Sequence, residues 1–188
     1  MHIAVLAKKG GVGKSTVSVL LFEALRQAGK SVRIRDWDGR QGTCSKALEF
    51  IVIGNDGRNA DADIIIYDTP PNLEHTATAA AVRSADLALV VTSPSPADIW
   101  EADDAVRFVK QRSPKTKVRL LFNKVRRNTV LGRLVEESAK QVSAPVLPVI
   151  VAARECYQHA LVSGWKALDG TAREEVLQLT VAILSIRK

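Results

Sequence analysis

The chain has 188 residues, of which 46% are apolar and 25% are charged, and its 27 Lys and Arg residues outnumber its 20 Asp and Glu residues. This length and apolar content suffice for one substantial core, and no linker rich in Pro, Gly or Ser divides the sequence, so we expect a single domain over residues 1–188. Lys8 and Lys9 interrupt the first hydrophobic stretch, which argues against a signal peptide or a membrane span and favours a cytoplasmic protein.

The first predicted elements are a strand, a glycine-rich loop and a helix. Residues 2–6 are apolar, residues 7–16 read AKKGGVGKST, and residues 15–27 have the spacing of an amphipathic helix. Glycines allow backbone N–H groups to curl around an anion, and the helix N-terminus adds positive partial charge. In such a loop Lys14 reaches the β- and γ-phosphates of a nucleotide, and the hydroxyl of Ser15 binds Mg²⁺.

The loop departs from the usual G-x-x-x-x-G-K-[ST] pattern in one respect. Lys8 stands where the first glycine is expected, and a second lysine, Lys9, precedes Gly10 and Gly11. A glycine-rich turn between a strand and a helix is also often only a tight connection. The loop alone therefore leaves phosphate binding and a structural turn as open alternatives.

Carboxylates follow the next two predicted strands. A strand over residues 31–35 leads to Asp36 and Asp38, and an apolar strand over residues 63–67 leads to Asp68 in the sequence Asp-Thr-Pro-Pro. Carboxylates at the ends of strands can hold a metal ion, but they also commonly cap the following helix. Each of the three taken singly is therefore as compatible with a structural role as with a catalytic one.

The remaining strands indicate the fold class. Residues 87–91 are apolar, residues 118–122 read as another strand, and Asn123 follows the second of these as either a turn residue or a ligand-binding side chain. The runs at 64–66 and 87–91 lack period-two alternation, as expected when helices cover both faces of a parallel sheet. We predict an α/β fold, with a mainly parallel, doubly wound sheet and helices on both faces.

In this order, the motifs resemble those of the ParA/MinD family of deviant Walker A P-loop ATPases, and most closely those of small partition ATPases. Besides the loop, Asp36-Trp37-Asp38-Gly39-Arg40-Gln41-Gly42 is similar to the family's D-x-D-P-Q-G switch, although Gly39 and Arg40 replace the proline. Asp68-Thr69-Pro70-Pro71 matches its D-T-P-P signature, and the segment from Pro148 to Tyr157 is similar to its closing segment. These matches cover nearly the whole chain.

The resemblance implies the roles of single residues. The catalytic residues would be Lys14, Asp38, which orients the attacking water, and Lys9, which reaches the nucleotide of a partner subunit. Mg²⁺ would be held by Ser15, Asp36 and Asp68. The residues implied to bind ATP or ADP are Lys9, Gly10, Gly11, Val12, Gly13, Lys14, Ser15, Thr16, Asn123 and Pro148.

The resemblance also implies an ATPase cycle with partners. The protein would form a homodimer with ATP, bind nonspecific DNA, and hydrolyse ATP slowly until a centromere-binding, ParB-like partner stimulates it, so that DNA is segregated on the nucleoid. The net charge of +7 suits a polyanionic partner. The basic residues cluster at Lys110, Arg112, Lys115, Lys117 and Arg119, at Arg126, Arg127 and Arg133, and at Arg187 and Lys188.

A MinD-like ATPase that cycles on a membrane surface is the alternative, and the last segment discriminates between the two. Within residues 171–188, four apolar residues fall near one helical face: Val176, Leu177, Val181 and Leu184. Acidic residues begin this segment, whereas a membrane-surface helix carries basic residues along its polar face. We therefore expect this helix to dock on the sheet and expect no membrane partner.

The two cysteines, Cys44 and Cys156, form no C-x-x-C pair. Their spacing suits a reducing compartment and gives no support for a metal or iron–sulfur site.

Overall fold

A computed structural model describes residues 1–39, 42–51 and 62–186 of the chain. Several sequence features lie outside these ranges: Arg40 and Gln41 of the switch, the turn signal at residues 54–57, and the terminal Arg187 and Lys188. The strands are β1 (His2–Leu6), β2 (Val32–Asp36), β3 (Ile64–Asp68), β4 (Leu87–Thr92) and β5 (Lys117–Phe122). The helices are α1 (Lys14–Gln27), α2 (Thr43–Ile51), α3 (Thr76–Ser84), α4 (Pro96–Arg112), α5 (Val130–Arg133), α6 (Val135–Ala139), α7 (Cys156–Ser163) and α8 (Gly170–Leu184).

The five strands form one parallel sheet in the order β2-β3-β1-β4-β5. Val5 of β1 and Asp36 of β2 are both in register with Asp68 of β3. The carboxyl ends of these three strands therefore lie at the same edge of the sheet, where open parallel sheets bind their ligands.

Helices cover both faces of the sheet, as the uninterrupted apolar strands predict. Ile3 and Val5 belong to the core cluster that includes α1, α2, α7 and α8, whereas Ala4 and Leu6 belong to the cluster that includes α3 and α4. Successive side chains of a strand point to opposite faces, so β1 is apolar at every position from Ile3 to Leu6. The predicted α/β fold with a doubly wound parallel sheet is confirmed, and every predicted strand lies within one residue of its observed bounds.

The last helix docks on the body of the protein, but chiefly against α1 rather than on the sheet as expected. α8 packs against α1, and its buried apolar residues are Ala172, Val176, Leu179 and Ile183. The predicted apolar stripe is only partly correct: Val176 is buried and Leu184 packs against the core, whereas Leu177 is 39% exposed and Val181 is 66% exposed. Both stripes follow helical spacing and both are apolar, so periodicity alone could not choose between them. None of the described helices is long and apolar enough to cross a membrane.

The segment after α6 runs alongside β5 and continues beyond its end. Leu147 donates its N–H to the carbonyl of Leu120, and Val151 donates to that of Phe122. Val125 and Ala152 then form a parallel bridge past the end of the strand. This pairing brings residues 152–154 to the edge of the sheet at which β1 and β3 end.

Candidate functional site

The glycine-rich loop forms an open cradle at the end of β1. Gly11 and Gly13 have φ values of 84° and 94°, a left-handed conformation that favours glycine. A Cβ atom on Gly13 would lie 2.3 Å from Nδ2 of Asn123, so this position also lacks space for a side chain. Within the described ranges, no group accepts a hydrogen bond from the N–H of Gly10, Gly11 or Gly13. These donors suit an anion.

The first two residues after β5 form hydrogen bonds to the backbone of this loop. Nδ2 of Asn123 donates to the carbonyl of Val12 at 2.8 Å, and Nζ of Lys124 donates to the carbonyl of Gly11 at 2.6 Å. These bonds occupy the carbonyls of two loop residues. This bond uses one N–H of the Asn123 amide, so the second N–H and Oδ1 are left for the predicted recognition of a base.

Asp68 is the most heavily bonded of the described side chains at this edge of the sheet. Its side chain is fully buried, and Oδ2 accepts the hydroxyl of Ser15 at 2.6 Å and the thiol of Cys44 at 3.2 Å. Oδ1 accepts the hydroxyl of Ser18 at 3.1 Å. Burial raises the pKa of Asp68, and the hydrogen bonds from Ser15 and Cys44 oppose that rise.

Lys14 is a buried cation at the centre of the site. Burial lowers the pKa of its amine, while the nearby carboxylates of Asp68 and Asp38 favour the charged form. The site thus brings a buried lysine close to two buried carboxylates. Such an arrangement suits a ligand that brings negative charge together with a cation.

The first of the two switch aspartates, Asp36, is bonded to the backbone of α2. Asp36 accepts the N–H of Asp38 at 3.0 Å and, through its other oxygen, the N–H of Ser45 at 2.8 Å. The N–H of Gly42 donates to the carbonyl of Asp38 at 2.8 Å. Asp36 therefore anchors the first turn of α2, and the Asp38 side chain is buried beside Lys14.

The predicted magnesium ligands converge, and a thiol joins them. Single donor atoms of Asp36, Cys44 and Asp68 lie within 4.8 Å of one another. The hydroxyl of Ser15 donates a hydrogen bond to Asp68, which leaves the lone pairs of the Ser15 oxygen available to a cation. Oxygen donors of this kind suit Mg²⁺, which prefers carboxylate and hydroxyl ligands. Sequence spacing gives no indication that Cys44 belongs here.

The two lysines ahead of the glycines both pair with α4. Nζ of Lys9 lies 3.0 Å from Oδ1 of Asp98, and Nζ of Lys8 lies 2.8 Å from Oδ2 of Asp104. The carboxylate of Asp98 also accepts the hydroxyl of Ser93 at 2.5 Å. About half of each lysine side chain is exposed, at 52% for Lys9 and 45% for Lys8. Both amines therefore lie at the surface beside the cradle.

A cavity of about 830 Å³ adjoins the cradle and is large enough for a nucleoside. Its walls include Thr16, Ser93, Asn123, Ala152, Arg154 and Tyr157. Pro148 does not line this cavity but contributes to two neighbouring ones, so the geometry gives its predicted contact with a nucleotide no support. Residues 152–154 line this cavity instead.

A buried carboxylate on α8 supports the far wall of this cavity. Oε1 of Glu175 accepts the N–H of Ala152 at 2.8 Å and the hydroxyl of Tyr157 at 2.6 Å. A guanidinium nitrogen of Arg154 lies 3.5 Å from Oε2. Burial and the Glu175 carboxylate raise the pKa of Tyr157, which keeps its hydroxyl protonated as a donor. Sequence reasoning missed this role, because Glu175 reads there only as part of the polar start of a helix.

Comparison with known proteins agrees with this geometry. A family model described as the CobQ/CobB/MinD/ParA nucleotide binding domain matches residues 3–161. A curated relative from Halothiobacillus neapolitanus, the maintenance of carboxysome distribution protein A, is 24% identical over 190 aligned positions, which cover 91% of this chain and 88% of the relative. A protein of the same name from Gloeobacter kilaueensis is 26% identical and covers 89% and 83% of the two chains.

Solved structures show the same fold. The MinD cell division protein of Aquifex aeolicus superposes with a TM-score of 0.81 at 19% identity, over 100% of this chain and 98% of that one. A putative plasmid partition protein of Borrelia burgdorferi bound to AMPPNP gives a TM-score of 0.77 at 17% identity, over 98% of each chain.

Proposed function

Because the chain belongs to the CobQ/CobB/MinD/ParA nucleotide-binding domain family, we propose that it is a partition-type ATPase that dimerises with ATP and binds nonspecific DNA. The observation that carries this proposal is the cradle of unbonded N–H groups beside Lys14, with Ser15 and Asp68 bonded to each other at its edge. This arrangement suits the phosphates of a nucleotide together with a hard cation.

The buried charges of the site support roles in ATP hydrolysis. Lys14 neutralises the phosphates, and Ser15, Asp36 and Asp68 hold Mg²⁺, which supplies further neutralisation of phosphate charge when it is bound. Asp38, buried beside Lys14, orients the attacking water. Phosphoryl transfer needs positioning and charge stabilisation more than covalent help, so these few residues suffice for a slow basal rate.

Lys9 supports an ATP-dependent homodimer. Its amine lies at the surface, beside the cradle, and forms an ion pair with Asp98. In the proposed dimer Lys9 exchanges this partner for the nucleotide of the second subunit. A cation supplied to the transition state in this way can raise the hydrolysis rate by about 10³ to 10⁵.

The positions of the basic residues favour one DNA surface over another. Lys115 and Lys117 lie at the amino end of β5, whereas Arg127 and Arg133 follow its carboxyl end, about 20 Å away for a strand of this length. Within the described ranges, neither Arg127 nor Arg133 forms an ion pair, and both are exposed. We assign DNA binding to Arg127 and Arg133, because they adjoin the nucleotide site that must control it.

The cargo of the cycle is either a DNA locus bound by a ParB-like partner or another cellular body. The curated relatives are named for the maintenance of carboxysome distribution, which favours the positioning of a cargo other than DNA as a second candidate. A MinD-like cycle on a membrane finds less support, because α8 buries its main apolar stripe against α1.

Binding to a random-sequence DNA duplex tests this function. We would measure binding with ATP, with ADP and without nucleotide across a salt series, and include Asp38→Ala as a form that keeps ATP. Binding should require ATP and weaken steeply with salt, because phosphate contacts release counterions. Binding that is equal with ATP and ADP, or absent at low salt, would contradict the proposal.

A pair of double variants tests the assigned surface. Arg127→Ala with Arg133→Ala should lower the slope of log affinity against log salt by about 4 for the dimer, at about one per lost phosphate contact and two contacts per subunit. Arg112→Ala with Lys115→Ala, at the opposite end of β5, is the matched control and should leave the slope unchanged. If the control reduces the slope and the first pair does not, the surface is wrongly assigned.

A further inference from the structure

Cys44 lies inside the candidate metal site rather than in the apolar core alone. It is the second residue of α2, its side chain is fully buried, and Sγ lies 3.2 Å from Oδ2 of Asp68. Sγ also lies 3.6 Å from the backbone carbonyl of Ser15. The thiol therefore contacts both the start of α1 and the end of β3.

The hydrogen bonds of Asp68 show what this thiol contributes. An ionised carboxylate has about four acceptor positions on its two oxygens. The hydroxyl of Ser15 and the thiol of Cys44 occupy Oδ2, and the hydroxyl of Ser18 bonds Oδ1. One position, on Oδ1, is left unfilled by any described residue. Ser15 and Ser18 both belong to α1, so Cys44 adds a donor from a second helix and fixes the carboxylate from another direction.

The first turn of α2 is also tied to the switch. Ser45 donates its N–H to Asp36, and the preceding Gly42 donates to the carbonyl of Asp38. Cys44 lies between Gly42 and Ser45 in the chain, so the residues on either side of the thiol are bonded to the two switch aspartates, Asp38 and Asp36. Among the described residues of α2, Cys44 alone bonds that carboxylate through its side chain.

We propose that Cys44 is a positioning residue whose thiol orients Asp68 for Mg²⁺ and couples that orientation to Asp36 and Asp38 through the first turn of α2. The inference rests on the proposed function, since it concerns the metal of the same nucleotide site. A buried cysteine that only fills space is replaceable by an apolar residue of similar volume, whereas a positioning donor is replaceable by another donor.

Three variants separate these roles. Cys44→Ser keeps a donor, Cys44→Val keeps approximate volume without a donor, and Cys156→Ser is the control at the other cysteine. The readout is the Mg²⁺ concentration that gives half-maximal binding of a fluorescent ATP analogue, measured beside the affinity for the same analogue in EDTA. Circular dichroism melting shows that each variant is folded.

The donor role predicts a specific pattern. Cys44→Val should raise the half-saturating Mg²⁺ concentration by about 10- to 100-fold, as is typical when a partner of a metal ligand is lost, and leave the affinity in EDTA unchanged. Cys44→Ser should restore a value within about threefold of the wild type, and Cys156→Ser should not change it. Equal values for Cys44→Val and the wild type would overturn the inference.

Thiol labelling gives a second measurement that leaves Cys44 intact. In the Cys156→Ser protein, Cys44 is the remaining thiol, and a thiol-specific reagent reaches it only when the first turn of α2 opens. Mg²⁺ with ATP should slow labelling at least about tenfold relative to ATP in EDTA, a change that corresponds to the lower range of effects for partners of metal ligands. Labelling that is equally fast in both conditions would overturn the coupling to the metal site. Failure of the Cys156→Ser protein to bind the analogue even with Mg²⁺ would overturn the proposed function itself.

Discussion

Gly13 shows how a single residue makes the cradle possible. Its left-handed φ of 94° opens the loop, and the absence of a Cβ lets Asn123 approach closely enough to bond Val12. The two requirements act at one position. Glycine satisfies both, whereas any other residue would be strained and would displace the amide that braces the loop.

Gly13→Ala should therefore abolish nucleotide binding and destabilise the fold by about 1–3 kcal/mol, which lowers the melting temperature by several degrees. Gly29→Ala is the matched control, because Gly29 has a φ of 72° but no atom within 4 Å of the point that a Cβ would occupy. The control should lose stability from the backbone strain alone and should still bind nucleotide. Normal nucleotide binding by Gly13→Ala would show that the brace is not needed.

The convergence of Lys14, Ser15 and Asp68 could be predicted from the sequence, because the carboxyl ends of parallel strands share an edge. The contact of Cys44 with Asp68 could not be predicted, since it depends on how α2 packs against its neighbours. Glu175 escaped prediction for a similar reason: it reaches Ala152 only after α8 has docked. Local motifs can be predicted from the sequence, whereas contacts between elements that are distant in the chain cannot be predicted.

Among the elements, α8 links the cavity beside the cradle to the core. Its Glu175 is buried and accepts hydrogen bonds from Ala152 and Tyr157, both of which line the cavity. Glu175→Gln should cost about 1–3 kcal/mol of stability and weaken nucleotide binding, because Arg154 loses its charged partner and a hydrogen bond is lost. The measurement is thermal unfolding with and without nucleotide.

Glu174→Gln is the control for this prediction. Glu174 is the preceding residue of α8, is exposed, and accepts a hydrogen bond from Gln178. This substitution should change stability and nucleotide binding little. Equal effects of the two substitutions would show that α8 does not support the cavity wall through Glu175.

Asp103 ties α4 to the loop before the closing segment and should make stability depend on pH. Its carboxylate accepts the N–H of Ser143 at 2.9 Å, the hydroxyl of Ser143 at 2.8 Å and a guanidinium N–H of Arg107. Burial raises the pKa of Asp103, but these bonds outweigh burial and hold the pKa below its usual value of 3.8. A depressed pKa contributes stability above the unfolded-state pKa, and this contribution is lost as the pH falls through the folded-state value.

Asp103→Asn should therefore be less stable than the wild type by about 1 kcal/mol at pH 7, and the difference should shrink as the pH falls below about 4. Denaturant unfolding at several pH values measures it. Asp104→Asn, which removes an exposed partner of Lys8, should have little effect. A deficit for Asp103→Asn that persists unchanged at acid pH would contradict this assignment.

The element order is predictable from sequence more readily than the faces of the elements. The positions of the inner strands β1, β3 and β4 follow from apolar runs, which a sheet covered on both faces requires. The buried stripe of α8 does not follow, because two apolar stripes share its surface and only the docked position against α1 selects one of them. The short helices α5 and α6 are likewise not predictable, since they contain too few residues to show a helical period.

For the whole molecule, the nucleotide site and one basic surface share the carboxyl edge of the sheet. Arg127 and Arg133 follow β5 at that edge and line a cavity that shares Arg154 with the cavity beside the cradle, and Lys9 lies at the surface next to Asp98. Dimerisation through this edge would bring two such surfaces together. Phosphate contacts from both subunits would then strengthen DNA binding only while ATP joins them.

The ATP-gated dimer is tested most directly by the molar mass of the protein in solution, measured by light scattering with Mg²⁺ and either ATP or ADP. Asp38→Ala with ATP should have twice the monomer mass, whereas the same variant with ADP, and Lys9→Ala with ATP, should stay monomeric while binding nucleotide. A monomeric Asp38→Ala protein saturated with ATP, or an ATP-dependent dimer of Lys9→Ala, would contradict the proposed cycle.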